Sequence, residues 1–295
     1  MDTNLSTQPS AVGVVPIRLG HPFGAEIIDV DLRGISDSGF AAIHQAWIDH
    51  QVLLFRNQTL DDHDLIAFSR RFGDLDHAPV QENGQRIANG MPEIYVVSNV
   101  IENGVAIGSL GAGEAVWHTD MSYLPSPPKA SMLYALEVPP VGGDTSFCDM
   151  YAAFETLPGS LRDRALGMRV KHDGTYNSGG YVRQGVTPTD DPRNAPGTLH
   201  PLVCTHPESG RRMLYLGRRR MAWIEGLDLP ESEALLDEIW AHATSPEISF
   251  THRWRVGDLV LWDNRCTMHR RDPFDSTTRR IMHRTQVKGS APPAA

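Results

Sequence analysis

The stretch WHTDMSY, residues 117–123, sets His118 and Asp120 one residue apart. In an extended segment residues i and i+2 share a face, so both side chains would aim at one spot. An imidazole nitrogen and a carboxylate oxygen converging on a point supply two ligands of a 2-His-1-carboxylate facial triad, an arrangement that leaves metal positions open. A plain His-Asp hydrogen bond at a strand end is the alternative, and the pair alone does not separate the two. Of the thirteen histidines, His269 is the best third candidate: a Gly257-Asp258 turn feeds the strand-like run LVLW, and His269 follows a short polar break, at a strand mouth. RRIMHR, residues 279–284, then puts Arg280, Met282 and Arg284 on one face of an expected strand. Two buried guanidiniums repel unless anions compensate them, and their forks match carboxylates bidentately. The pattern implies a metal with open positions beside a pocket for one or two carboxylates.

Elements able to position these groups are legible along the chain. FAAIHQAWIDH from Phe40 and DDHDLIAFSRRFG from Asp61 carry apolar residues at helical spacing, with the short buried strand VLLF between them. EIYVVSNVIENGVAIG reads as two strands about an Asn103-Gly104 turn. ASMLYALEVP, GGDTSFCD, DLVLWDN and RIMHRTQVK read as further strands, and PLVCTHPESGRRMLYLG as a hairpin around Pro207 to Gly210. Residues 151–166 predict two short helices divided at Pro158, and PESEALLDEIWAHAT one more helix. Residues 173–198, dense in Gly, Pro, Asn and Asp, predict a lid or a disordered segment. Strands from end to end, without repeat or linker, indicate one β-rich domain over 13–288 with helices around it. Residues 1–12 and the closing GSAPPAA, 289–295, are expected to be flexible tails.

Composition excludes several classes. With a net charge of -9 over 295 residues the chain lacks the footprint of a nucleic-acid binder. Cys148, Cys204 and Cys266 are odd in number and widely spaced, which argues against a disulfide framework and for a reducing cytoplasm. The opening residues lack a signal-peptide pattern and no run approaches a membrane span, so neither export nor membrane insertion is expected.

WHTD, GGDT, THPESGR, WDNRCTMH and RRIMHR resemble, in order, the motifs of the Fe(II)/2-oxoglutarate-dependent dioxygenases of the taurine dioxygenase and 2,4-dichlorophenoxyacetate dioxygenase group, from IDVDLR at 28–33 to RRIMHRT. The resemblance implies a mostly β fold with flanking helices, a double-stranded β-helix or jelly roll. It implies His118, Asp120 and His269 as iron ligands, with Fe(II), 2-oxoglutarate and O2 as cofactors. Thr145 and Arg280 would hold the distal carboxylate of 2-oxoglutarate, and Arg284 would meet the substrate anion or border both sites. The reaction implied converts 2-oxoglutarate to succinate and carbon dioxide while hydroxylating a substrate C-H. A homo-oligomer, dimer or higher, is expected.

The family's taurine pocket is not reproduced. Glu114 stands where the taurine branch has a sulfonate-binding asparagine; a further family contact falls near His77; and Arg220, within GRRRMAW, occupies an aromatic position. VVSNVIENGVAIG, FCDM and HRWRVGDLVLWDNRC look more like the aryloxyalkanoate branch, which implies a small carboxylate substrate hydroxylated next to an ether oxygen and cleaved to a phenol and an oxo-acid. Tyr123 and Tyr181 are candidates for lining the pocket, and Arg218 to Arg220 either widen the anion site or form a solvated basic turn. Trp117 and Trp262 are expected in the core, His200 and His206 as structural hydrogen-bonding groups, and Cys266 as a packed small hydrophobe. The alternatives are a taurine or alkylsulfonate dioxygenase, a zinc hydrolase, since the same ligand set suits catalytic zinc, and a non-catalytic ligand-binding jelly roll.

Overall fold

Alternation of apolar residues in this chain serves two sheets that share a core and each carry a second core on the outside. The structure, a computed structural model, describes residues 13–16, 23–79 and 90–295; the tail expected over 1–12 lies outside them. One sheet has eight strands in the order Gly13–Pro16, Ala25–Ile28, Val52–Phe55, Leu259–Asp263, Ala130–Glu137, Ile281–Val287, Tyr95–Ser98 and Ser109–Leu110. The sheet facing it has four, Ser249–His252, Thr145–Asp149, Thr267–Arg271 and Ala115–His118, and three smaller sheets complete those of the described residues.

Period-two alternation assigns each strand's side chains to a layer. Val52, Leu54, Leu133, Ala135, Val260 and Trp262 point inward and meet Phe147 of the small sheet. Leu53, Phe55, Met132, Tyr134, Leu259 and Leu261, the intervening residues, pack outward with Ile43, Trp47, Leu65 and Phe68 of the helices Asp37–His50 and Asp62–Arg70. On the far side of the small sheet, Cys148, Cys266 and Met268 join Leu235, Leu236, Ile239 and Trp240 of the helix Leu229–Ala243. The architecture is the expected mostly β jelly roll with helices outside. Every helix and strand read from the sequence has its counterpart, including the break at Pro158, which caps the helix Gly159–Ala165.

Two segments are more ordered than their composition suggests. Residues 173–198 are not structureless: the Asp173 carboxylate accepts from the backbone N–H of Thr175 and Tyr176, Tyr176 bridges to Val182, and Gly197–Pro201 pairs with Arg169–Asp173. The Val116 N–H donates to the Ser178 carbonyl at 3.2 Å, which lays the segment along the strand Ala115–His118. The closing residues, expected as a loose tail, run beside Val203–Thr205, where the Thr205 N–H donates to the Ala294 carbonyl at 2.9 Å. Residues 289–294 line one wall of a cavity of about 170 Å³ whose other wall includes Pro127, Met213 and Tyr215. Among the described residues no helix is long and apolar enough to cross a membrane.

Candidate active site

The strand Ala115–His118 ends at His118, and directly opposite it in the antiparallel ladder stands His269 on Thr267–Arg271. Their rings lie 4.1 Å apart, centroid to centroid. Asp120 is not on the strand, as the spacing suggested. It lies in a turn that continues through Met121 at φ 46°. The turn nonetheless brings its carboxylate back to both imidazoles, with Oδ1 3.7 Å from His118 Nε2 and Oδ2 4.0 Å from His269 Nε2.

Hydrogen bonds fix both the turn and the carboxylate. Asn264 accepts from the Asp120 N–H and donates to the carbonyls of Asp120 and Pro128, each at 2.9 Å. Ser131 donates to Asp120 Oδ2 at 3.0 Å and accepts from Gln286 at 3.1 Å; Gln286 accepts from Arg284 at 3.3 Å, and Arg284 Nη1 donates to Asp120 Oδ1 at 3.1 Å. Ser131 and Gln286 are direct partners on adjacent strands, so the large sheet's register closes this ring around the carboxylate. Sequence reasoning missed Asn264, Ser131 and Gln286. The available signals were the position of Asn264 inside WDNRCTMH and the polar Ser131 in the otherwise apolar run ASMLYAL, whereas Gln286, in the polar run HRTQ, carried none.

Electrostatics leave the three groups in their ligand states. Burial, which disfavours the imidazolium, lowers the pKa of both His118 and His269, and mutual repulsion deepens the effect at His269. Burial alone would raise Asp120, but Arg284 and the two histidines hold it well below the usual carboxylate range. His118 Nδ1 donates to the Val116 carbonyl at 2.7 Å, which frees the Nε2 lone pair. Two imidazole nitrogens and a carboxylate oxygen, all within 4.8 Å of one another, suit a divalent first-row metal. A second cluster, His206, Asp263 and Cys266, has the same compactness but not the same chemistry. His206 Nδ1 accepts from the N–H of Glu208 and Ser209, so its Nε2 carries the proton given to Asp263, and Arg265 engages both oxygens of Asp263. Burial pushes the Cys266 thiol well up. This cluster is a structural ion pair.

Next to the triad is a cavity of about 50 Å³ lined by Val97, Leu133, Trp262, Thr145, Arg280 and Arg284, with Leu110, Ser178 and Arg271 also at its wall. Arg280 is 1% exposed, and its Nε, Nη1 and Nη2 have no hydrogen-bond partner. Burial and the neighbouring Arg271 lower its pKa to about 9 against the pull of Asp144, so it is cationic at neutrality. A buried cation in that state demands an anion. Thr145 Oγ1 accepts from Trp254 Nε1 at 2.9 Å, leaving its own O–H to donate. Gly143, at φ 70°, makes room: a Cβ there would lie 3.1 Å from the Pro139 ring and 3.3 Å from Arg280 Nε.

Of the other expected substrate contacts, Tyr123 is half-buried beneath the Arg183 guanidinium, 4.3 Å from its ring centre. His77 and Glu114 are exposed and outside the cavity wall, Glu114 lying 3.9 Å from Arg270. Arg220, also exposed, stacks 3.6 Å over Tyr176 at the rim of a separate outer cleft, and Tyr181 is 58% exposed. The basic turn divides: Arg219 pairs with Glu233 and Asp237 at 2.7 Å each, whereas Arg218 is buried. His200 Nε2 donates to the carbonyls of Ser122 and Leu124, the structural role expected of it.

A jelly roll with a 2-His-1-carboxylate cluster beside a buried, unpaired guanidinium defines the 2-keto-acid-dependent dioxygenase class of site. Residues 16–286 match the family described as taurine catabolism dioxygenase TauD, TfdA family. The chain is 38% identical over 282 residues to an alpha-ketoglutarate-dependent 2,4-dichlorophenoxyacetate dioxygenase of Cupriavidus pinatubonensis, covering 92% of this chain and 96% of that one. It is 34% identical over 282 residues to an (S)-phenoxypropionate/alpha-ketoglutarate-dioxygenase of Sphingobium herbicidovorans, covering 92% and 93%. The crystal structure of AAD-2 in complex with Mn(II) and N-oxalylglycine superposes with a TM-score of 0.80 at 30% identity, covering 97% of this chain and 99% of that one. The chain belongs to the TauD/TfdA family and is a 2-oxoglutarate-dependent dioxygenase.

Proposed function

We propose that the protein uses Fe(II), 2-oxoglutarate and O2 to hydroxylate a small carboxylate, an aryloxyalkanoate, at the carbon next to the ether oxygen. The hemiacetal so formed collapses to a phenol and an oxo-acid. The observation that carries this is the buried, unpartnered Arg280 beside the donor hydroxyl of Thr145, in the same cavity as the triad. That cavity has no residue able to serve as a water-activating base apart from the triad itself, and this weighs against a zinc hydrolase.

His118, Asp120 and His269 would hold the iron. When bound, iron(II) supplies the redox chemistry that couples decarboxylation of 2-oxoglutarate to hydroxylation of the substrate. The chain's own residues bind and orient. Arg280 takes the distal carboxylate of 2-oxoglutarate through its planar fork, and Thr145 adds one O–H donor. Arg284, tied to Asp120 and stacked 4.8 Å over Tyr95, holds the liganding carboxylate and borders both the co-substrate and the substrate. Val97, Leu133 and Trp262 give the cavity an apolar wall, beside which charge-assisted contacts are screened less than in water. Names of relatives that act on phenoxy acids support the substrate class. The test is a panel of aryloxyacetates, aryloxypropionates, taurine and alkyl sulfates read out as succinate and phenol release. Release of succinate only with sulfonates or sulfates would refute the carboxylate reading.

A further inference from the structure

A second buried guanidinium stands beside the metal-binding turn. Leu216 and Gly217 run against Thr119 to Ser122: Thr119 Oγ1 donates to the Leu216 carbonyl at 2.6 Å, and a Cβ on Gly217 would lie 2.8 Å from Ser122 Oγ and 2.5 Å from His172 Nδ1. Only glycine permits that approach. Arg218 therefore leaves the backbone directly alongside the segment that carries Asp120 and Tyr123. It is 5% exposed, and its Nε and Nη1 are buried without a hydrogen-bond partner.

The groups facing Arg218 do not neutralise it. His172, pressed against Gly217 at the root of Arg218, is held neutral by its burial. Asp120 is engaged by Arg284 and Ser131, and Asp173 by the backbone of Thr175 and Tyr176. The remaining charged neighbour, Arg183, is a like charge; it lies over Tyr123 with its own Nε buried and unpartnered. Burial first and Arg183 second lower Arg218 to about 10, and it stays cationic at neutrality. The charges acting on Arg280 are a different set, Arg271 and Asp144. Two buried cations near the His118, Asp120 and His269 cluster thus have separate surroundings, and each has buried guanidinium nitrogens with no hydrogen-bonded anion.

We propose that Arg218, with Arg183 beside it, receives the carboxylate of the primary substrate, at a pole of the site distinct from the co-substrate pole at Arg280. This rests on the carboxylate reading above and deepens it. The arrangement divides the two acids: 2-oxoglutarate is held through Arg280 and Thr145, and the substrate's carboxylate is held next to Tyr123, leaving its organic group to reach the metal-facing cavity. Arg183 belongs to the segment 173–198, so the same segment that covers the strand Ala115–His118 also delivers one of the two cations.

The experiment is calorimetry on protein loaded with Mn(II) and N-oxalylglycine, titrated with phenoxyacetate and with its neutral analogue phenoxyacetamide. Arg218→Gln should weaken phenoxyacetate by about ten- to a hundredfold, the range for charge-assisted bonds, while leaving phenoxyacetamide and N-oxalylglycine affinities unchanged. Arg218→Lys should recover part of the loss. An Arg218→Gln variant that keeps the wild-type preference for acid over amide overturns the assignment and leaves the carboxylate reading intact. A wild-type protein with no such preference removes the carboxylate reading and this proposal together. If Arg218→Gln fails to bind N-oxalylglycine, the half-buried Arg183→Gln replaces it, with the same selective loss expected and unchanged acid preference again decisive against the assignment.

Discussion

Replacing Asn264 by alanine tests whether the Asp120 turn, rather than strand alternation, builds the proposed metal site. The wild-type amide makes three hydrogen bonds of 2.9 Å, to the Asp120 N–H, the Asp120 carbonyl and the Pro128 carbonyl, and Asn264 is fully buried. At about 1 kcal/mol net for each bond, the loss is about 3 kcal/mol, and orphaned polar groups add to it unless water enters the vacated space. A range of about 3 to 5 kcal/mol is therefore expected in urea unfolding of the metal-free protein. With its backbone released, Asp120 keeps its side-chain bonds to Arg284 and Ser131 but loses its fixed distance to the imidazoles. Mn(II) affinity, followed by calorimetry, should fall by about ten- to a hundredfold, as when an outer partner of a metal ligand is removed. Asn264→Asp keeps an acceptor for the Asp120 N–H but sets a carboxylate against two carbonyls, and it should be no better than alanine. A destabilised Asn264→Ala protein that bound Mn(II) with wild-type affinity would show that the ring of Arg284, Ser131 and Gln286 suffices to hold Asp120, and the clamp argument would fall.

Arg280→Ala should raise the 2-oxoglutarate requirement by about ten- to a hundredfold without altering Mn(II) binding, and Thr145→Val should do the same more weakly; an unchanged 2-oxoglutarate KM in succinate assays would refute the assignment. Asp263→Asn breaks a buried pair with Arg265 and His206 and should cost about 3 kcal/mol in urea unfolding. Asp263 has a depressed pKa when folded, so its contribution is present above the ordinary carboxylate range near about 4 and is lost as pH falls below it. Wild-type stability should accordingly drop more steeply below that pH than the stability of the variant. Hydrogen exchange over residues 173–198 should slow when N-oxalylglycine and substrate are both bound to the Mn(II) protein; equal rates would count against closure of this segment.

Wherever local pattern decides the outcome, the chain could be read in advance. The alternations in ASMLYALE and LVLWD reach the structure as two-faced strands, because one face of each meets the inter-sheet core and the other meets helices. Residue type singled out His118, Asp120 and His269 as candidates, the family resemblance implied them as a ligand set, and the structure brings their donor atoms within 4.8 Å of one another. The route by which Asp120 arrives was not legible. An extended backbone would have aimed it beside His118, whereas the structure uses a turn stabilised by a residue far along the chain. Arg218, Arg219 and Arg220 look equivalent in sequence but have three different surroundings, and Arg218 is buried next to Gly217, whose close approach to His172 no local pattern encodes. Carrying positions over from the family failed to bring His77, Glu114 and Arg220 to the cavity for a related reason: they sit on surface connections, where chains of one family diverge most.

The pairing of His118 with His269 across two strands also has a mechanical side. Ala115–His118 is the edge of the four-stranded sheet; among the described residues its ladder partner is Thr267–Arg271, with a register shift between His269 and Arg271, and on its other side it has the single backbone bond to Ser178. An ion held by both imidazoles, as proposed, would rivet this outermost strand to its neighbour and close the long chain segment between them, a link that would restrict the unfolded chain more than the folded one. Removing the metal should loosen that seam before any other part of the sheet. It would bare an unpaired row of backbone donors and acceptors on which a second molecule could add a strand, so chelated protein should self-associate on warming while metal-loaded protein stays dispersed.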